Sequence, residues 1–333
     1  MRAFVLDGYG AIADHVRLAE ITDPVPGPGD VRIEIHAASL NPIDFKIVHG
    51  DLKRVSKYQL PHPFGFDASG VVTSVGAGAS KFKPSDAVFV RASRDTIGTF
   101  AEQIAIGENL VALKPTTISH AEAASLPLVG LTTVQMFGSA GAKSGQRILV
   151  HAGSGGVGTF AVQYAKHLGL HVTSTTSSKN ADFVASLGAD RVIAYDRENY
   201  LQQDDNYDIV YDTLGGAFTV DAFKVVKRGG VVISLSGPPD RDFARREGAG
   251  LLVGIVVWLM GRKVYAASAA AGARYEWSFT ESNGDQLRDI AALVDGGTIK
   301  PVVDREFAFE QLPDALTYLE TGRARGKVVL RVR

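Results

Sequence analysis

The amino-acid sequence predicts an α/β fold in which a β-rich module is followed by a doubly wound parallel sheet. From residue 1 to about 120, short apolar or alternating segments are separated by turns rich in Gly and Pro, which is typical of strands and their corners. Beyond them, apolar runs alternate with segments of helical spacing, the pattern of a parallel sheet covered by helices. The chain has 333 residues, which is long for one core, so two domains are expected.

Local periodicity predicts the strands of the β-rich module. Residues 3–6 are apolar, and residues 23–30 form a turn-rich connector. In residues 31–36, Val and Ile alternate with Arg, Glu and His, as in a strand with one buried face. Residues 70–76 and 86–90 are two further predicted strands.

Two polar loops in this module are candidate functional segments. One contains Asn41, Asp44 and Lys46, and the other contains Asp67. Each residue also has a structural explanation, because Asn and Asp side chains stabilise turns and helix starts and an exposed Lys is usually solvated. Spacing alone does not join the two loops into one site.

A strand, a glycine turn and a helix follow one another at residues 147–169. The apolar residues 148–150 precede Gly153-Ser154-Gly155-Gly156-Val157-Gly158, and apolar residues at helical spacing then lead to Gly169. This order places a pyrophosphate at a helix N-terminus, where backbone N–H groups favour the anion and missing Cβ atoms allow close approach. A dinucleotide site is therefore predicted. Further strands of this module are predicted at 171–176, 191–194, 208–212 and 230–235.

The segment that distinguishes NADH from NADPH contains no acid. It lies about 20 residues beyond the glycines, where an NAD site places Asp or Glu on the ribose hydroxyls, and here it reads Thr-Thr-Ser-Ser-Lys at 175–179. A carboxylate repels a 2′-phosphate, whereas hydroxyls and an ammonium can hydrogen-bond to it. NADPH is therefore predicted. The alternative is a polar loop that begins a helix, with Ser178 or Asn180 as the cap.

Composition argues against several functional classes. The formal net charge of −1 shows no bias toward nucleic acid or anionic membranes. The chain contains no Cys, which excludes disulfides, thiolate zinc sites and cysteine nucleophiles. Its eight His form no HExxH pair, and there is no GxSxG elbow, so neither a metal site nor a serine hydrolase is predicted.

A cytoplasmic protein without a membrane span is expected. The first residues lack a basic segment followed by a long apolar core, so no secretory signal is expected. The strongest apolar stretch, residues 251–260, is too short to span a bilayer.

Taken together, these motifs resemble the medium-chain dehydrogenase/reductase superfamily. Within it, the chain is similar to the zinc-independent quinone oxidoreductase (zeta-crystallin-like) branch, which includes alkenal and enone reductases. The resemblance covers nearly the whole chain and rests on residues 40–44, 64–70, 131–133, 151–158, 187–190 and 322–330. Zinc-dependent relatives carry Cys where Asn41 stands and Gly-His-Glu where Gly65-Phe66-Asp67 stand, and the cysteine-rich structural-zinc lobe has no counterpart here.

The resemblance implies two domains and a set of site residues. A GroES-like catalytic domain would comprise residues 1–121 and 276–333, and a Rossmann domain that binds NADPH would comprise residues 122–275. Asn41 and Lys46 are the implied catalytic residues, flanking the nicotinamide and the acceptor. The implied cofactor-binding residues are Asn41, Thr132, Gly155, Gly156, Val157, Gly158, Ser177, Lys179, Tyr195 and Arg323. No metal ligand is implied.

The implied reaction is transfer of hydride from NADPH to a quinone or to the β-carbon of an α,β-unsaturated carbonyl. Delocalisation in such acceptors lets hydrogen-bond donors stabilise the developing enolate in place of a metal. Several quinone reductases have Tyr at the position of Lys46, which moves the prediction toward enones. The alternatives are a non-catalytic NADPH-binding protein with a structural or regulatory role and a zinc-free alcohol dehydrogenase. The natural acceptor and the choice of one- or two-electron chemistry stay open.

The segment 237–279 is longer than compact members of the branch need. It contains Arg241, Arg245 and Arg246, then the apolar residues 251–260, then Arg262 and Lys263. A basic apolar helix can lie on a membrane surface, but a covered helix at the acceptor cleft or a dimer contact is the favoured interpretation. A homodimer is expected, and the role of the segment is left open.

Overall fold

The computed structural model describes residues 1–53, 58–202, 206–246, 248 and 250–333. The chain divides into two compact units, one formed by Met1–Leu131 and Glu281–Arg333 and the other by Thr132–Thr280. The second unit is therefore continuous in sequence, whereas the first is formed by two separate segments. The domain bounds predicted at residues 121 and 275 stay a prediction.

The N-terminal segment of the first unit consists mainly of strands. They are β1 (Arg2–Leu6), β2 (Val16–Glu20), β3 (Asp30–Leu40), β4 (His62–Pro63), β5 (Asp67–Val75), β6 (Ala87–Arg91), β7 (Gln103–Gly107) and β8 (Val111–Leu113). Its helices are α1 (Ile12–His15), α2 (Pro42–His49) and α3 (His120–Ala124). The strands predicted in this segment correspond to β1, β3, β5 and β6.

The second unit alternates strands and helices, as predicted. Helix α4 (Pro127–Ala140) contains the division between the units, and α5 (Gly156–His167), α6 (Ala181–Ser186), α7 (Ala217–Asp221), α8 (Phe243–Arg246) and α9 (Leu251–Ala271) follow. The strands are β9 (Arg147–Val150), β10 (His171–Thr176), β11 (Arg191–Ala194), β12 (Tyr207–Asp212), β13 (Val226–Ser234) and β14 (Arg274–Glu276).

The C-terminal segment returns to the first unit. It contains α10 (Gly284–Asp295), β15 (Val303–Ala308), α11 (Leu312–Glu320) and β16 (Lys327–Arg331). Short 3₁₀ turns across the chain lie at Glu108–Leu110, Ser178–Asn180, Tyr200–Gln202, Ala222–Lys224 and Phe309–Gln311.

The first unit contains a seven-stranded sheet in which β3 is central. The strand order is β15-β16-β3-β5-β6-β8, and β7 also pairs with β3. Only β15 and β16 run parallel; the other pairs are antiparallel. Val31, Ile33 and Ile35 are fully buried in the core on one face of β3, as their alternation with polar residues predicted. A second, three-stranded sheet has the order β2-β1-β4.

The second unit is built on a six-stranded parallel sheet. Its order is β11-β10-β9-β12-β13-β14, and all five strand pairs are parallel. The sheet therefore confirms the doubly wound prediction. The order changes direction at β9, whose residues Ile148, Leu149 and Val150 are fully buried, and ligands of such sheets bind at the carboxyl end of the strands at this point.

Helix α9 is longer than the apolar stretch seen in the sequence. It runs for 21 residues past Arg262 and Lys263 and ends where Gly272 adopts a left-handed conformation with φ 62°. By length and composition, residues Val253–Ala271 could cross a membrane. The predicted absence of a membrane span therefore stays a prediction.

Candidate active site

Sheet register in the first unit brings residues from three distant parts of the chain together. Asn41 follows the last residue of β3 and is the N-cap of α2, with Pro42 in the first turn of that helix, a position that suits the fixed φ of Pro. Ser39 of β3 pairs with Asp67 of β5. On the other edge of β3, Leu40 pairs with Val328 of β16, which places Lys327 next to Asn41.

Asn41 is held at both ends of its carboxamide. Its Nδ2 donates to Asp67 Oδ2 at 2.9 Å, and its Oδ1 accepts from Lys327 Nζ at 2.6 Å. The Lys327 ammonium also donates to the Leu40 carbonyl at 2.8 Å and lies 3.6 Å from Asp67 Oδ2. A flipped amide would direct its N–H groups at the ammonium and its oxygen at the carboxylate. The network therefore sets the amide orientation and uses one of its two N–H groups.

The ion pair that holds Asn41 is buried. Burial raises the pKa of the Asp67 carboxyl, and the Lys327 ammonium and the Asn41 amide oppose that rise. Burial lowers the pKa of Lys327, and Asp67 opposes that fall. Each charge thus depends on the other, because a single uncompensated charge in this site would be costly.

Asp44 contributes a second buried carboxyl to the same cluster. Its Oδ2 accepts the backbone N–H of Asn41 at 2.6 Å, whereas its Oδ1 has no hydrogen-bond partner among the described residues. Burial raises the pKa of Asp44, and the nearby Asp67 carboxylate acts in the same direction. A neutral Asp44 avoids placing two carboxylate charges in one buried site.

Lys46 lies on α2, two residues beyond Asp44, and its side chain is half-buried. In the part of the chain that the structure describes, its ammonium has no hydrogen bond or ion pair. The structure therefore does not bring Lys46 into the Asn41 network. An ammonium without an internal partner keeps its three N–H groups available to a bound molecule.

The glycine turn of the second unit is shaped by close backbone packing. A Cβ on Gly158 would lie 2.2 Å from the Ala152 carbonyl oxygen, and one on Gly153 would lie 2.1 Å from Ser174 Oγ. Gly155 is the N-cap and α5 begins at Gly156, with Val157 and Gly158 following in its first turn. Ala152, just before the turn, has a positive φ of 52°. The first and last glycines are therefore required by packing, as expected for this motif.

A buried acid that the sequence analysis did not single out lies beside this turn. Asp212 ends β12, next to β9, and its oxygens accept hydrogen bonds from Ser234 Oγ at 2.7 Å and from the backbone N–H of Gly215 at 3.0 Å. His151 Nδ1 lies 3.4 Å from Asp212 Oδ1. Burial alone would raise the pKa of Asp212, but hydrogen bonds from His151, Thr219 and Gly215 lower it to about 2. The signal that could have revealed it is its position at the carboxyl end of a strand adjacent to the glycine turn.

The segment predicted to bind the 2′-phosphate contacts an acid from the turn after the next strand. Ser178 donates to Asp196 through its backbone N–H at 2.7 Å and through its hydroxyl at 2.6 Å. Of the predicted residues, Lys179 is exposed, Ser177 is half-buried and Tyr195 is 66% exposed. The segment itself has no acid, but the turn that follows β11 supplies Asp196, just beyond Tyr195. The sequence analysis missed this contact because it depends on the pairing of β10 with β11.

The remaining predicted residues lie in different units. Thr132 is buried in the second unit, and its hydroxyl lies 2.7 Å from that of Thr280. Arg323 is exposed in the turn after α11, where its backbone N–H donates to Thr321 Oγ1 at 3.3 Å. Asn41, Lys46 and Arg323 belong to the first unit, and all other predicted site residues belong to the second.

Two family models match the chain. A model described as an alcohol dehydrogenase GroES-like domain matches residues 27–116, and one described as a zinc-binding dehydrogenase matches residues 187–330. Within the described ranges there is no group of three or more His, Asp or Glu side chains that could hold a metal ion.

Individual proteins match over almost the whole chain. It is 36% identical to 2-methylene-furan-3-one reductase of Solanum lycopersicum over 341 residues, which cover 99% of this chain and 79% of that protein. It is 35% identical to NADPH-dependent alkenal/one oxidoreductase, chloroplastic, of Arabidopsis thaliana, with the same coverage of 99% and 79%. The solved quinone oxidoreductase of Coxiella burnetii superposes with a TM-score of 0.86 at 29% identity, covering 100% of this chain and 99% of that one.

Proposed function

The chain belongs to the medium-chain dehydrogenase/reductase superfamily, and on this premise we propose that it is an NADPH-dependent reductase of α,β-unsaturated carbonyls or quinones that works without zinc. It is an oxidoreductase, as are the relatives that match over its whole length. Two of these relatives carry names of a furanone reductase and of an alkenal/one oxidoreductase. Together with Lys46, they favour enones over quinones as the acceptor.

The observation that carries the proposal is the glycine turn of the second unit. It lies at the carboxyl end of β9, where the sheet order changes direction, and its first and last glycines leave no room for a Cβ. Gly155, Gly156, Val157 and Gly158 would hold the pyrophosphate through backbone N–H groups at the start of α5. Ser177, Lys179 and Tyr195 would surround the 2′-phosphate, and Thr132 and Arg323 are assigned as further cofactor contacts.

When bound, NADPH supplies the hydride that reduces the acceptor. Asn41 would use its remaining N–H group, and Lys46 its unpaired ammonium, to donate hydrogen bonds to the acceptor oxygen. Such donors stabilise the negative charge that develops on this oxygen when hydride adds to the conjugated β-carbon. No acidic side chain is assigned to the last protonation, so solvent would supply that proton.

The experiment that tests this function is NADPH oxidation against a matched panel of 2-alkenals, vinyl ketones, benzoquinones and naphthoquinones. NADH in place of NADPH and a metal chelator serve as controls. We expect chelator-resistant turnover, with NADPH preferred and enones reduced fastest. Loss of activity in the chelator would contradict the zinc-free mechanism, and tight NADPH binding without turnover on any acceptor would contradict the enzymatic role.

We also propose the bounds of the two domains, the oligomeric state and the cellular location of the protein. We assign residues 1–121 and 276–333 to the catalytic domain and residues 122–275 to the cofactor domain. We also propose a homodimer located in the cytoplasm, although one relative has a chloroplastic name. Light scattering of the purified full chain checks the dimer, and fractionation of the source cells checks the location.

A further inference from the structure

The N-terminal half of α9 exposes more large apolar side chains than any other stretch of comparable length in the described chain. We define the α9 surface as the exposed large apolar residues of this helix, which are Val253, Ile255, Val256, Trp258, Leu259 and Met260. Their exposed fractions lie between 43% and 63%. These six residues are nearly half of the thirteen exposed large hydrophobic residues in the described ranges. A contiguous exposed apolar patch of this kind marks an interaction surface.

The helix is anchored to its own unit through its second half. Val264 and Tyr265 are buried, and the Tyr265 hydroxyl donates to the Pro239 carbonyl at 2.7 Å. Among the described side chains of the first half, Val253 to Gly261, Val257 is the buried large apolar residue. Only 22% of Val253–Ala271 is buried, so α9 is not a core helix. The C-terminal half holds the helix in place while the N-terminal half presents apolar side chains outward.

The charges beside the α9 surface are cationic. Arg262 and Lys263 are exposed and follow Leu259 by three and four residues, so they lie on either side of it on the helix surface. Neither has an ion pair within the described residues, whereas Arg245 and Arg246 are paired with Asp242 and Asp240. From residue 248 to residue 275 the sequence contains no Asp or Glu.

We propose that the α9 surface docks the protein on an anionic phospholipid bilayer. Its apolar side chains would enter the interfacial region, and the unpaired Arg262 and Lys263 would meet lipid phosphates. Trp at such a surface suits the boundary between headgroups and acyl chains, and exposed Arg and Lys next to apolar side chains add electrostatic attraction to anionic lipids. Charge complementarity therefore favours anionic lipid over another apolar occupant, such as a second copy of this chain.

The same charges argue that α9 lies on the bilayer and does not cross it. Arg262 and Lys263 are the twelfth and thirteenth of the 21 helical residues, so a spanning helix would place two cations at the bilayer centre. That position is the most costly one for a charge. In a helix that lies flat, both side chains reach the headgroups while their aliphatic stems cover apolar surface.

The test is co-sedimentation of the full chain with phosphatidylcholine vesicles, with and without phosphatidylglycerol. We expect binding only to the anionic vesicles and a steep loss of binding as salt rises. Arg262→Gln/Lys263→Gln should lower the partition coefficient roughly thirtyfold, since each basic residue near an anionic surface contributes about fivefold. Leu259→Ser should also lower it, because buried apolar area drives insertion.

Matched variants control for charge and hydrophobicity. Leu113 is 56% exposed and Leu259 is 50% exposed, so Leu113→Ser makes the same change in the first unit. Lys83→Gln/Arg288→Gln also removes two positive charges, as Arg262→Gln/Lys263→Gln does, and both of its positions are exposed. Both controls should bind vesicles as the unmodified chain does, and thermal unfolding checks that every variant is folded.

Two results would overturn the proposal. One is failure of the unmodified chain to bind phosphatidylglycerol vesicles at low salt. The other is a dimer that becomes monomeric with Leu259→Ser while lipid binding stays unchanged, which would assign the surface to a second copy of the chain.

Discussion

Lys327 Nζ donates a hydrogen bond to Asn41 Oδ1 at 2.6 Å, although 286 residues separate the two along the chain. The ammonium fixes which way the Asn41 amide points and draws electron density from its oxygen. Polarisation of this kind strengthens the N–H groups of the same amide as donors. Lys327 is therefore a positioning residue for the proposed reaction and does not itself contact the acceptor in our proposal.

Removing the Lys327 charge should damage both folding and turnover, and a double variant separates these effects. Lys327→Met leaves Asp67 as an uncompensated buried charge and should cost about 3–5 kcal/mol of unfolding free energy. Lys327→Met/Asp67→Asn removes both charges and should recover most of that stability, while kcat stays at least about tenfold low because Asn41 is no longer oriented. Urea unfolding and steady-state kinetics give the two readouts. Full turnover in the double variant would make Lys327 purely structural.

Lys46 should contribute to turnover and not to cofactor binding. Its ammonium has no internal partner in the described chain, so Lys46→Met removes a donor to the acceptor and should lower kcat with enones about 10²-fold. The affinity for NADPH, measured by fluorescence titration, should stay nearly intact. Lys53→Met, at an exposed position of the following turn, is the matched control and should behave as the unmodified enzyme does.

The proposed 2′-phosphate site should respond to two opposite charge changes. Lys179→Glu removes a cation and adds an acid, so it should weaken NADPH at least tenfold and leave NADH nearly unchanged. Asp196→Asn removes the carboxylate that accepts from Ser178, and should tighten NADPH a few-fold with little effect on NADH. Dissociation constants for the two cofactors provide the measurement. Equal changes for NADH and NADPH would remove the 2′-phosphate assignment from this segment.

Gly158 should tolerate no side chain. A Cβ there would lie 2.2 Å from the Ala152 carbonyl oxygen and 2.7 Å from Gly153 Cα, so Gly158→Ala should cost about 1–3 kcal/mol of unfolding free energy and abolish NADPH binding. Gly138 of α4 has no atom within 4 Å of an added Cβ, and Gly138→Ala should be neutral or stabilise the helix by up to about 1 kcal/mol. Equal effects of the two substitutions in thermal unfolding would contradict the packing argument.

His120 should make the first unit sensitive to acid. Burial, with a smaller contribution from His36, lowers the pKa of His120 to about 4, below the value of about 6.5 in an unfolded chain. The unfolded state therefore binds a proton between these two pH values that the folded state does not. Stability should therefore fall as the pH drops from about 6.5 to about 4. Below about pH 4, His120 should cause no further change in stability. Because the His120 side chain is only half-buried, we expect this loss of unfolding free energy to be about 1–2 kcal/mol.

The check on His120 is the unfolding free energy at pH 7.5 and pH 4.5. His120→Gln should lose less stability between the two conditions than the unmodified chain does. His171→Gln, at an exposed position of β10, should lose as much as the unmodified chain. A His120→Gln variant with unchanged acid sensitivity would show that another group causes it.

Local patterns predicted the fold because they report on local structure. The alternation in β3 and the apolar run of β9 each correspond to a strand with the expected buried residues. The glycine turn was recognisable because its spacing reflects contacts among neighbours in sequence, such as Gly158 with Ala152.

Contacts between distant strands could not be predicted from such local patterns. The sequence analysis treated Asp67 as a turn residue and found Lys327 only within a motif, since their meeting at Asn41 depends on the register of β16, β3 and β5. The contact of Asp196 with Ser178 and the burial of Asp212 likewise depend on how parallel strands align. A residue-by-residue pattern contains no information about register between strands that long connections separate.

The position of β16 between β15 and β3 has a consequence for the order in which the protein is made. The sheet of the first unit cannot close until the ribosome has added residues 327–331, by which time all of the second unit has already been synthesised. The second unit is continuous in sequence and can fold during translation, while β1 to β8 wait for their last partners. The first unit, although its synthesis begins first, is therefore expected to mature last, reversing the usual N-terminal-first order.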